Sequence, residues 1–83
     1  MKFRAEINVM PLKAILDPQG KTVAASMKNI GIPEVDNVRI GKHIHVELEA
    51  ADKNVAHAKV DEACKKLLAN LIMENYEFEL FEM

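Results

Sequence analysis

Tryptophan is absent, and the chain has only one tyrosine and three phenylalanines. Sequence readers of single-stranded RNA stack bases on aromatic side chains, so this poverty of rings argues against that function. Its one cysteine excludes an internal disulfide. Small secreted domains normally need several bridges, so a reducing, cytoplasmic setting is expected. Cations are not in surplus either: 11 Lys and Arg stand against 13 Asp and Glu, a net charge of −2, with no basic block to neutralise a run of phosphates. Nucleic acid is therefore not an expected partner. The opening "MKFRAEINVM" lacks the uninterrupted apolar run of a signal peptide. No segment reaches the roughly 18 apolar residues that span a bilayer, so no membrane role is expected.

What is present is enough for a fold. Hydrophobic residues make up 49% and charged residues 29% of the 83, well outside the regime of disorder. The whole chain, 1–83, reads as one domain. At that length about 60–65% of the unfolded surface is buried, so stability without a partner is thin.

Lys2 to Val9 alternates strictly, with Phe3, Ala5, Ile7 and Val9 on one side, and predicts a half-buried strand. Asp17 is suited to cap a helix by accepting a first-turn N–H, and Pro18 suits the first helical position because its missing donor would be unpaired there. Val23, Met27 and Ile30 share a face of this first helix, with Gly20 and Ala24 beside them. Gly31 and Pro33 end it. Val35 to Ile40 and Ile44 to Leu48 read as two strands of a hairpin around "IGKH", Gly41 supplying positive φ for the turn. A strict two-residue loop would put their apolar sets on opposite faces, so an odd-length loop or a bulge is expected. Asp52 caps a second helix with a stripe of Ala56, Val60, Ala63, Cys64, Leu67, Leu68 and Leu71, and Glu62 and Lys66 form an i,i+4 pair outside it. Tyr76, Phe78 and Leu80 alternate with Glu77 and Glu79 in a last strand.

The order is βαββαβ. Two amphipathic helices over one face of an antiparallel sheet give an α+β two-layer sandwich, ferredoxin-like or a close relative.

Chemical motifs fail one by one. "GKT", Gly20 to Thr22, ends like a phosphate-binding loop, but Ile15 stands where that loop requires glycine. Asp17 already supplies a negative group at the helix start. Cys64 and His57, seven residues apart, lie roughly 10 Å apart along a helix axis and cannot act as nucleophile and base. His43 and His45 share a strand side, yet zinc wants three or four ligands, so a polar sheet face or a subunit contact is the simpler reading. Glu74, Glu77, Glu79 and Glu82 read as edge protection and as partners for Lys2 or Arg4 on a neighbouring strand. No catalytic residue, cofactor-binding residue or metal ligand is expected; the chain reads as a module that binds something.

Three segments carry a family likeness: "LDPQGKTV" opening helix one, "VRIGKHI" at the predicted hairpin, and "CKKLLANLIMENYEFEL" closing the chain. In this order and spacing they resemble the PurS family, the small subunit of phosphoribosylformylglycinamidine synthase. The resemblance implies a non-catalytic subunit of a glutamine-dependent, ATP-using ligase in the fourth step of purine synthesis, which converts formylglycinamide ribonucleotide to the amidine. It implies partners: a PurQ glutaminase that releases ammonia, a PurL synthetase that uses ATP and magnesium, and further copies of the chain as a dimer or tetramer. One departure is Leu71, Ile72 and Met73 after "LLAN", where the family often has Pro or Thr followed by Val-Ile-Glu; it is expected to lengthen helix two by part of a turn. Within these motifs Gln19, Lys21, Arg39, Lys42 and Asn70 are the candidate partner contacts, and Asp17, Pro18, Gly20 and Gly41 have backbone reasons to be present. The rival function is a ferredoxin-like regulatory module binding a small metabolite at a subunit interface.

Overall fold

The computed structural model describes residues 1–12 and 18–83. Strand β1, Lys2–Pro11, is followed by helix α1, Pro18–Met27, strand β2, Lys42–Glu49, helix α2, Lys53–Ala63, and strand β3, Glu74–Glu82. The sheet is antiparallel with order β2-β1-β3, so the first strand lies in the middle. This is the expected α+β, ferredoxin-like class with three strands among the described residues.

The predicted strand over Val35 to Ile40 does not form. A hairpin would need the chain to reverse between Ile40 and Lys42, but Gly41 does not adopt positive φ, and Gly31 is the only described glycine that does. The chain instead runs into β2 while crossing the end of β1. A Cβ on Gly41 would intrude on the Val9 carbonyl oxygen and the Met10 side chain. Glycine is required there for close approach, not for a turn.

Register follows from the alternation of β1. Ala5 pairs with Val46 on one side and Leu80 on the other, and Ile7 with Ile44 and Phe78, which brings the apolar sets of all three strands to one face. Against that face α2 lays Ala56 and Val60, and Cys64 follows at its C-cap, all buried together with Phe3, Ala5, Ile7 and Val9. Its start is fixed as predicted: the Asp52 side chain accepts from Val55 N–H at 2.9 Å. Lys66 reaches Glu62 at 2.6 Å on the outside.

The end of α2 differs from expectation. Cys64–Leu68 forms a π-helical turn closed by Ala69 N–H to the Cys64 carbonyl at 3.0 Å. This wider turn swings Leu67 out to 81% exposure and leaves Leu71 at 48%, so the apolar stripe stops at Leu68 and Ala69 fills its last place. Leu71, Ile72 and Met73 do not lengthen the helix; they form the turn into β3.

Helix α1 starts at Pro18 as predicted, whereas the Asp17 cap lies outside the described residues. A short 3₁₀ turn, Lys28–Ile30, follows and Gly31 closes it at φ 86°. Gly20 is buried, Val23 and Met27 are half-buried, and Ile30 is exposed. No described side chain of α1 joins the buried core clusters. The Cα radius of gyration is 16.5 Å, against about 12 Å for a compact domain of this size.

Candidate interaction surfaces

The reactive side chains are held in structural roles. Cys64 is buried, and burial together with nearby Asp61 pushes its thiol pKa up, away from the thiolate a nucleophile needs. His57 lies with its ring 4.9 Å from that of Phe78. Tyr76 donates to Asp61, which lowers the Asp61 pKa, helped by Lys65 at 2.9 Å. The same bond pushes the Tyr76 phenol up to about 12. This contact ties α2 to β3 at its polar margin.

On the sheet face turned away from α2, polar side chains from β1 and β2 form a network. His43 donates from Nε2 to Glu6 Oε2 at 2.6 Å when protonated there, and its Nδ1 lies 2.6 Å from Asn8 Oδ1. His45 bridges Glu6 at 2.7 Å and Glu47 at 3.0 Å, and Lys2 stands 3.5 Å from Glu47. The hydrogen bonds from His43 and His45 hold the Glu6 pKa below the ordinary carboxylate value. Those to Glu47 and Glu6 raise that of His45. The histidines are thus bonded to a shared carboxylate, and among the described residues no group of three or more such side chains is placed to hold a metal ion.

Arg4 lies 3.3 Å from Glu6, with its guanidinium 4.5 Å from the Phe81 ring centre. The expected pairing of Lys2 or Arg4 with the glutamates of the last strand therefore does not occur. The register sets Arg4 opposite Phe81, and both cations turn to Glu47 and Glu6.

The residues singled out in the sequence do not gather at one place. Gln19 and Lys21 are exposed on α1, and Gln19 borders an apolar depression with Thr22, Val23 and Ile40. Lys42 opens β2, exposed and opposite Val9. Arg39 turns inward, its Nη2 donating to the carbonyls of Pro11 at 2.7 Å and Leu12 at 2.6 Å. Asn70 builds the corner before β3: its side chain accepts from Ile72 N–H at 3.1 Å and its N–H donates to Glu74 Oε1 at 2.8 Å.

Sequence reasoning missed an exposed apolar ridge, Leu67, Leu71, Ile72 and Met73, with Ile72 at 83% exposure. Its signal was present in the unusual run "LIM" after Asn70, read instead as extra helix. Exposed apolar side chains gathered in so short a stretch are uncommon on the surface of a small domain.

A family model described as "PurS: Phosphoribosylformylglycinamidine (FGAM) synthase" matches residues 4–82. A Synechocystis sp. protein named phosphoribosylformylglycinamidine synthase subunit PurS is 40% identical over 78 residues, covering 94% of this chain and 78% of its own length. The Bacillus subtilis PurS subunit is 35% identical over 81 residues, or 98% of this chain and 95% of that protein. A B. subtilis PurS crystal structure superposes with a TM-score of 0.87 over 96% of this chain and 99% of its own. A chain in the structure of PurLQS from Thermotoga maritima is 33% identical, with a TM-score of 0.86 over 98% of this chain and 99% of its own. By sequence and by fold, over nearly its whole length, the chain belongs to the PurS family of phosphoribosylformylglycinamidine synthase subunits.

Proposed function

We propose that this chain is the non-catalytic assembly subunit of phosphoribosylformylglycinamidine synthase, bridging a PurQ-type glutaminase and a PurL-type synthetase in purine synthesis. The observation that carries this reading is the near-complete superposition on a chain of the PurLQS assembly. On the open face of the sheet His43 and His45 are bonded to Glu6 and Glu47, a structural use of those side chains that is compatible with this reading. ATP and magnesium belong, in this reading, to the synthetase partner, and the assembly works in the cytoplasm. No described helix is long and apolar enough to cross a membrane.

Self-association is part of the same proposal. The core is thin, α1 adds no described side chain to it, and Ile30, Leu67 and Ile72 stand exposed. A second copy, or three further copies, supplies burial that one chain lacks. Sedimentation at micromolar concentration is expected to show a dimer or tetramer, and a monomer there would contradict it. Co-purification with the synthetase and glutaminase subunits tests the bridge, and a chain that passes through unbound would remove it.

A further inference from the structure

Among the described elements β2 pairs with β1 alone, so every second N–H and carbonyl along Lys42–Glu49 points out of the sheet edge. Its inner-face residues Ile44, Val46 and Leu48 are only half-buried, whereas their β1 partners Ile7, Ala5 and Phe3 are buried. The edge also has a symmetry of its own. Ile44 and Leu48 stand two residues either side of Val46 on the inner face, while on the outer face His45 mirrors Glu47 and His43 mirrors Glu49. Glu49 is the least engaged of these, with only the Met1 ammonium 3.8 Å away.

Antiparallel strands pair residues of the same face, so two copies of β2 related by a two-fold axis are centred on a residue and never between two. Centred on Val46, the register sets Val46 on its own copy, Ile44 on Leu48, His45 on Glu47 and His43 on Glu49. Shifting the centre to His45 sets His45 on His45 and Lys42 on Leu48; shifting it to Glu47 sets Glu47 on Glu47. The other edge has no such register. About Phe78, two copies of β3 set Glu77 on Glu79, and about either glutamate that residue meets its own copy. Like charges directly opposite destabilise a sheet, and neither Glu77 nor Glu79 has an ion pair with a described residue to offset them.

We propose that a second copy of this chain pairs along β2, antiparallel and centred on Val46, to form one six-stranded sheet of order β3-β1-β2-β2-β1-β3. This pairing rests on the self-association reading and gives it a surface. The outward backbone groups of both strands gain partners, the apolar pairs close the inner face, and the histidines of each copy stand across from the glutamates of the other. A two-fold contact closes on itself, so the pairing stops at two copies.

The test combines sedimentation of the full chain with oxidation of Val46→Cys and, separately, His45→Cys. Directly opposed residues in such a ladder lie about 4.5–5.5 Å apart between Cα atoms, within disulfide reach. Val46→Cys is expected to form a covalent dimer rapidly, His45→Cys much more slowly, and the wild type, with Cys64 buried, not at all. Glu49→Lys, at an exposed position, is expected to keep the fold by circular dichroism and to weaken the dimer about tenfold, since a cation then faces His43 across the axis twice. A wild-type oligomer in which Val46→Cys folds but does not cross-link, or cross-links more slowly than His45→Cys, overturns this proposal alone. If Val46→Cys does not fold, an unchanged dimer constant for Glu49→Lys overturns it instead. Species that lengthen with concentration mean that β2 pairs with β3 of the next copy, and also overturn it. A wild type that sediments as a monomer removes the self-association reading and this pairing with it.

Discussion

Glu6 and His45 face each other across the β1–β2 ladder, and Glu6 Oε1 lies 2.7 Å from His45 Nδ1. The same carboxylate holds His43 through its other oxygen, so one residue of the central strand clasps two of an edge strand. This makes the attachment of β2 depend on protonation.

The sign of that dependence follows from the shifts. The raised His45 pKa gives a contribution present in full below the ordinary value of 6.5 and lost as pH climbs through the folded-state value. The lowered Glu6 and Glu47 values give a contribution present above 4.5 and lost as pH falls through theirs. Both are complete between pH 4.5 and 6.5. Urea midpoints across pH 3 to 9, taken as round settings on either side of ordinary carboxylate and imidazole titration, should show the gap between wild type and Glu6→Gln widest in that window. A gap independent of pH would rule the clasp out.

Gly41→Ala should destabilise by about 1–3 kcal/mol, because the new methyl meets backbone at Val9 and not only the movable Met10 side chain. Thermal unfolding reads this directly. An unchanged melting temperature would mean that the crossing segment does not press on β1.

Arg39→Met should cost about 1–2 kcal/mol in the free chain through loss of the bonds to the Pro11 and Leu12 carbonyls. Arg39 was expected from the sequence to touch a partner. If the substitution weakens assembly while leaving the free chain's stability intact, the inward role is wrong.

Much of the fold was legible because each reading rested on a local cause. The alternation of Phe3, Ala5, Ile7 and Val9, the Asp52 cap and the Gly31 stop all recur in the structure. The failures share a different cause, since they depend on what lies across the chain. Val35 to Ile40 has strand-like residues, but without a reversal at Gly41 the segment is not turned back along β2. Gly41 looked like a turn because its steric neighbour, Val9, is 32 positions earlier. Periodicity carried the helical stripe through Leu67 because a π turn leaves no local mark in composition. The free glutamates were seen, but their lack of a cation follows only from the register.

Core and ridge respond differently to truncation. Ile7→Ala should cost about 2–5 kcal/mol, since Ile7 is fully buried in the middle strand. Leu67→Ala should stay within about 0.5 kcal/mol in dilute free chain. Urea unfolding separates them, and an equal loss at both would return Leu67 to the core.

In the proposed role this chain acts by joining two other subunits. The deciding experiment is glutamine-dependent formation of the amidine by synthetase and glutaminase, with and without this chain, with free ammonia as the parallel nitrogen source. Omitting the chain should abolish the glutamine-dependent rate while the ammonia-dependent rate persists. A glutamine-dependent rate unchanged by its omission would contradict it.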